Sequence, residues 1–524
     1  MAKNKAIVLS VIASLTLMLL LIGATYAYFQ AKTDSGSPAN VKVQTYTVDV
    51  LSFETGDPLS FTIDQDNFAK DQDSLSASTF ASAILSANNK TNTATDHYYM
   101  YLNISNNSFI YTQDVNTPEM ILTITSASGT PLTSIDGLTY KEVTDNKGTK
   151  ISGFDITTKN GLIPLLSNKE ISASPKTEEK WNVTITFVNY NLDQSKNAGK
   201  DFTAKLMIQK KEIETMATVC SSGQTLSSCI IAMNGKDDTL YFHDSNLENG
   251  AGDNSYRYAG ANPNNFVCFG STESPCPTDN LYRIIGVIGG KVKLIKYDYM
   301  TTDELGTNGD YYGAYTLGNS AYKGNNYANI ASYYWNYKAD SGKKVGSNTW
   351  STSLFNKINL NSNFINYLGT EWSNKIATTT WKVGGSGMGF AIPSIAYQNE
   401  IVNPDATDTT DNATTYDAKI SLMYVSDYGF AAIPSAWTTN LYEYNGSING
   451  STIISLNWMF MGMDEWTLTR RTNNTSIVYN VSNDGRMNHS SANVSLPVRA
   501  SFNLESTITY VSGTGTMSDP IIIN

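Results

Sequence analysis

From Val41 to about Lys210 the chain runs in short alternations of polar and apolar residues, broken by Gly, Asn, Asp and Pro. In VKVQTYTVDVLSF, Val41, Val43, Thr45 and Thr47 alternate with Lys42, Gln44 and Tyr46; HYYMYLNISN, EMILTITSA, KWNVTITFVNY and FTAKLMIQ repeat the pattern. A period of two is that of a pleated strand, whose successive side chains point to opposite faces. Several such strands at close spacing predict an antiparallel β-sandwich or jelly roll. SASTFASAIL (Ser76–Leu85) is read as the one helix, with Ser76 or Ser78 as its cap. Charged residues make up 16% of the chain, against roughly 25% in an average soluble protein. Coiled coils, helical bundles and polytopic membrane proteins are excluded, and 11% aromatics exclude wholesale disorder.

Lys211 to about Gly235 changes character, with a brief helical stretch and a Ser/Gly-rich loop between cysteines, and is read as a linker over 213–236. Beyond it the chain is rich in Tyr, Trp, Gly and Asn. LYRIIGVIGGKVKLIKY is a hairpin turning at Gly289-Gly290. TSLFNKINLNSNFINYLGTEW has the apolar spacing of two short helices separated near Asn361. AKISLMYVSDYGF and NWMFMGMDEWTLTRR read as strands, and SIVYNVSNDGRMN as a hairpin at Asp484-Gly485. The fold expected is mostly β with an α+β C-terminal part, in domains 28–212 and 237–524.

Lys3 and Lys5 precede an apolar run from Ala6 to Ala24, about 28 Å as a helix and close to the thickness of a bilayer core. It is read as a signal peptide or an uncleaved anchor, with Ala27 the expected cleavage site of segment 1–27. No LPxTG-like sorting motif is present near Asn524, so sortase attachment is not expected. Cys220 and Cys229, and Cys268 and Cys276, are close enough in sequence to form two local disulfides. Free thiols, or a zinc site with His243, are the alternatives, although neither pair has the usual zinc-ligand spacing. Disulfides and export together place the protein outside the cell or on its surface. A formal charge of −11 with no basic run excludes nucleic acid, and membrane contact is expected only through the N-terminal segment.

GATYAYF resembles the leaders of the TasA/camelysin family of extracellular matrix proteins. That resemblance implies a secreted protein whose strand-rich first domain is a TasA-like jelly roll, with self-association into fibres. YRIIGV, the strand Glu465-Trp466-Thr467-Leu468 with Arg470, the NDG hairpin, Val498-Arg499-Ala500-Ser501-Phe502 and the tail SGTGTMSDPIIIN resemble a different group. They look like the bacterial surface domains of C-type-lectin-like fold related to formylglycine-generating enzymes, over residues 237–524. Ala500 stands where those domains usually have Pro. The related enzymes depend on cysteines near the end of the fold, and none lies beyond Cys276, so the oxidase chemistry is excluded.

Nucleophilic catalysis needs a base beside the nucleophile, and the histidines are only His97, His243 and His489. His97 reads as a surface residue, His243 as a hydrogen-bonded loop residue, and His489 as a ligand-facing one. Gly385-Ser386-Gly387-Met388-Gly389 fits neither G-x-G-x-x-G nor G-x-S-x-G. A glycosidase would need two facing carboxyls; Asp464-Glu465 and the loop acids Asp298, Asp303, Glu304 and Asp310 are the candidates. The same loop acids are the candidates for calcium, but no cofactor is expected. Tyrosines crowd the loop from Tyr297 to Tyr327, where flat rings with hydroxyls suit sugar stacking or protein recognition.

The reading is therefore a secreted or membrane-tethered surface or matrix protein that binds a host or matrix glycan or a surface protein, without catalysis. Tyr299, Tyr311, Tyr312, Arg470, Arg471, Asn473 and His489 are the candidate ligand contacts, Arg470 and Arg471 as exposed recognition residues. Arg499 is expected to be structural, and the closing strand Val498–Leu504 to pair with the hairpin Ile284–Lys296. The alternative is a secreted carbohydrate-active hydrolase using paired carboxylates in the second domain.

Overall fold

The structure is a computed structural model that describes residues 49–64, 72–87, 93–273, 275–315, 322–324, 330–338, 346–387, 391–404 and 413–524. The apolar run Ala6–Ala24, the cleavage site Ala27, Val41–Thr47, Tyr327 and Met388-Gly389 lie outside the described residues. Among the described residues no helix is long and apolar enough to cross a membrane. The chain forms two compact units, Met1–Ile213 and Glu214–Asn524, and is mostly β.

The first unit holds ten described strands: β1 Val50–Thr55, β2 Leu59–Ile63, β3 Leu75–Ser86, β4 Ala94–Asn107, β5 Met120–Ser126, β6 Tyr140–Thr144, β7 Lys150–Asp155, β8 Gly161–Ala173, β9 Lys176–Phe187 and β10 Lys200–Gln209. They form a six-stranded sheet, β1-β3-β9-β5-β7-β6, and a four-stranded sheet, β2-β10-β4-β8. Alternate residues of both sheets, among them Met100, Leu102 and Phe202 from one and Leu122, Val183 and Phe187 from the other, make one core. The expected helix Ser76–Leu85 is strand β3. It pairs with β9 along its whole length, from Leu75↔Phe187 to Ser86↔Lys176, and with β1 on its other side. Thr79, Ala81, Ala83 and Leu85 are buried, while Ser76 and Ser78 reach the hydroxyls of Thr186 and Thr184 at 2.8 Å. Helix propensity is worth under about 1 kcal/mol per residue, too little to outweigh pairing on two sides.

The second unit begins at Glu214, inside the stretch read as a linker. Met216, Leu226, Ile230 and Met233, from the helices Met216–Val219 and Leu226–Ala232, belong to its main core. The disulfides Cys220–Cys229 and Cys268–Cys276 are formed, with Cα separations of 5.5 and 5.9 Å. They fit an oxidising environment.

At the centre lies the hairpin Leu281–Ile288/Lys291–Lys296. Gly289 and Gly290 both take positive φ, 58° and 77°, as its two-residue turn requires. The closing strand Ser501–Asn503 pairs with it through Lys293↔Asn503, Leu294↔Phe502 and Ile295↔Ser501, as expected.

Three elements differ from expectation. Phe355–Phe364 and Ile365–Ser373 run on without a break at Asn361, whose side-chain amide instead donates to Asn356 O and Ile420 O; the kink comes at Gly369, φ 70°. AKISLMYVSDYGF is a strand only to Ser421, because Asp427 accepts Tyr424 N at 2.9 Å and starts the helix Val425–Phe430. In NWMFMGMDEWTLTRR only Glu465–Arg470 is a strand.

Buried charges lock these pieces together. Arg499 Nε and Nη2 donate to the two Glu465 oxygens at 2.8 and 2.9 Å, and Nη2 also reaches Met459 O at 2.7 Å. Asp427 pairs with Lys293 at 2.5 Å and Arg257 at 3.3 Å; Arg257 also holds Asp253 at 2.8 Å. Breaking a buried pair strands its partner's charge, at a cost of roughly 3–5 kcal/mol. Glu465→Ala is expected to lose about that much stability in urea unfolding. The double change Glu465→Leu/Arg499→Met should recover most of it; equal losses in both would show that the pair has no such role.

Candidate functional site

Next to the Arg499–Glu465 pair stands a small antiparallel sheet, Glu465–Arg470, Ile477–Val481 and Met487–Ser491. Tyr479 pairs with His489 and Val481 with Met487. Directly opposed residues of an antiparallel pair share a face, so all four side chains point the same way. On that side lies a cavity lined by Glu400, Thr469, Tyr479, Met487, Ser386 and Val425, with room for about one water molecule.

Glu400 forms its polar floor and is almost wholly buried. Its oxygens accept from Ser426 N at 2.8 Å and Thr469 Oγ1 at 2.5 Å. Burial pushes the carboxyl up to about 7; those hydrogen bonds oppose the rise and nearby Asp427 adds to it. The Tyr479 hydroxyl, also buried, has no hydrogen-bond partner among the described residues. Burial pushes this phenol up to about 12, with Arg471 opposing and Glu400 adding.

The rim is built from the residues beyond Arg470. Arg471 Nε donates to Asn473 Oδ1 at 2.6 Å, and Nη1 lies 3.4 Å from His489 Nε2. The His489 ring meets the Tyr479 ring edge-on at 6.4 Å, which sets the rim beside the cavity. Asn348 pins the loop from beneath, its side-chain amide donating to the carbonyls of Arg471, Asn474 and Ile477 at 2.6–2.9 Å. Ser386 bridges this segment, its N donating to Arg470 O and its O accepting from Thr472 N. Gly385 makes that approach possible: its φ is +82°, and a Cβ there would lie 2.3 Å from Arg470 O.

Of the candidate ligand contacts, Arg471, Asn473 and His489 come together here and the others do not. Arg470, expected to be exposed, is 1% exposed because its strand is buried along its whole length, and its Nε donates to Val383 O at 2.9 Å. Tyr299, expected on a binding loop, is 2% exposed, its hydroxyl donating to Met463 O. Tyr311 is half-buried against Tyr333, and Tyr312 is exposed on the same edge strand, packed edge-on with Tyr334.

The candidate acids are dispersed. Asp298 holds Tyr322 OH and Tyr299 N, Glu304 pairs with Lys296, and Asp310 accepts the amides of Lys338, Phe355 and Tyr337. Glu465 belongs to Arg499, while Asp464 accepts Asn483 N. His97 lies half-buried near Glu170, and His243 is buried between Phe430 and Trp437, accepting Ala251 N.

Glu400, Thr469, Tyr479 and Asn348 were not singled out in the sequence. The available signal was Glu400 four places after Ala396, on the buried side of one helix (Pro393–Tyr397, continuing through Val402). Compared with known families and with curated proteins, the chain matches no family model and no curated protein.

The raised carboxyl makes stability depend on pH. The folded state holds the Glu400 proton more tightly than the unfolded chain, so the contribution is complete below the ordinary value of 4.5 and is lost as pH rises through about 7. Glu400→Gln should therefore gain roughly 3 kcal/mol over the parent at pH 8 relative to pH 4. Urea unfolding at the two pH values checks this; parallel shifts of both proteins would contradict it.

Proposed function

We propose that this is a secreted or membrane-tethered surface or matrix protein whose second unit recognises a ligand without transforming it. The carrying observation is the polar pocket: a rim of Arg471, Asn473 and His489, held by Asn348, beside a cavity whose buried Tyr479 hydroxyl lacks a partner among the described residues. A rim braced by the protein before ligand arrives suits recognition. A hydrolase needs two carboxyls facing a substrate; here Glu400 faces the cavity, while its neighbour Asp427 is bound by Lys293 and Arg257.

Two sheets sharing one core support the β-sandwich, jelly-roll-like reading of the first unit. The closing strand against the central hairpin supports the C-type-lectin-like reading of the second. Export rests on the Ala6–Ala24 leader with Ala27 and agrees with the disulfides. The partners are a host or matrix glycan or a surface protein, with fibre formation following from the TasA-like leader.

A glycan array probed with the chain as it stands after cleavage at Ala27, residues 28–524, tests the proposal. Binding to a subset of glycans that His489→Ala and Asn473→Ala each weaken, with no glycan shortened during incubation, is the expected result. Release of sugar would support the hydrolase instead, and binding unaffected by both changes would remove this pocket.

A further inference from the structure

We infer that the pocket takes an acidic sugar, its carboxylate on Arg471 and one hydroxyl in the Glu400–Tyr479 cavity; this rests on the reading of the pocket as the ligand site. Four buried cations of the same unit, Arg257, Lys293, Lys296 and Arg499, each have a carboxylate partner, and another, Arg283, is held by Asn265 Oδ1 and the carbonyls of Pro263 and Trp458. Arg471 is half-buried at the rim, and among the described residues its partners are the neutral side chains of Asn473 and His489. In a chain with 47 acidic and 36 basic residues, an arginine held in place by two side chains and left without an anion is a prepared anion contact.

The hydrogen-bond directions sharpen this. Guanidinium nitrogens only donate, so His489 Nε2 accepts from Arg471 Nη1 and the ring proton sits on Nδ1 as a further donor. Arg471 Nη2 and Asn473 Nδ2 have no protein partner among the described residues and add more donors. A planar group of donors matches the paired oxygens of a carboxylate.

The cavity supplies the second requirement. It has room for about one water molecule, too little for a side chain, and Tyr479 contributes a buried hydroxyl without a partner among the described residues. Thr469 Oγ1 and Glu400 complete a lining that both donates and accepts, which suits a hydroxyl. A ligand hydroxyl entering the cavity would satisfy Tyr479. The Tyr479–His489 ring contact sets the two subsites side by side, so both belong to one small ligand. One carboxylate and a nearby hydroxyl on a compact frame is the chemistry of a uronate-type sugar.

The test is calorimetric titration of the full chain with an oligogalacturonate, with the neutral oligogalactose of the same length, and with sodium sulfate. The inference expects the acidic sugar to bind at least about tenfold tighter than the neutral one, since a hydrogen bond to a charged group is worth more than a neutral one. Arg471→Gln should bring the two sugars level, Arg471→Lys should retain part of the difference, and Tyr479→Phe should weaken both sugars alike. Equal binding of the two sugars to the parent would overturn the acidic assignment while leaving ligand recognition standing. Sulfate displacing the oligogalacturonate at equal concentration would overturn the sugar half. If no sugar binds and the array is also blank, the recognition reading falls with it. Unchanged circular dichroism of Arg471→Gln and Arg471→Lys separates lost binding from lost folding.

Discussion

Arg499 and Glu465 are the pair on which the second unit depends. Both side chains lie out of water, both Glu465 oxygens are engaged, and the remaining donor capacity of Arg499 reaches Met459 O. Charges buried this way are tolerated only with close geometry and further hydrogen bonds. Arg499 lies two residues before the closing strand, and Glu465 opens the small sheet that carries the pocket. The pair therefore ties the end of the chain, itself laid on the central hairpin, to the strands that present Tyr479 and His489.

A second set of charges positions the cavity floor. Lys293 of the central hairpin and Arg257 hold Asp427, and Asp427 starts the helix whose Ser426 amide donates to Glu400. The carboxyl at the bottom of the pocket is thus located by ion pairs that lie outside the pocket lining. The rim is located differently, by Asn348 gathering three carbonyls of one loop. Rigid support of this kind lowers the entropy lost when a ligand is ordered.

Strand alternation was legible wherever one face is buried, as in Met120–Ser126 and Lys176–Phe187, and so was the Gly289-Gly290 turn. Ser76–Leu85 misled because Ala and Ser favour helices locally, while the pairing that made it a strand came from β9, a hundred residues away. The site was half legible. Arg471, Asn473 and His489 lie close in sequence and in space, whereas Glu400 and Asn348 arrive through the fold from distant segments. Arg470 and Tyr299 show the remaining gap: a polar or aromatic residue near a loop gives no sign of which way it points until its strand is paired.

The most direct measurement is a crystal structure of the protein with a bound oligogalacturonate. The account predicts a carboxylate against Arg471, in contact with His489 or Asn473, and a sugar hydroxyl within hydrogen-bond distance of Tyr479 OH. Sugar seated instead along the Tyr312 edge, with the Arg471 rim and the cavity empty, would contradict it.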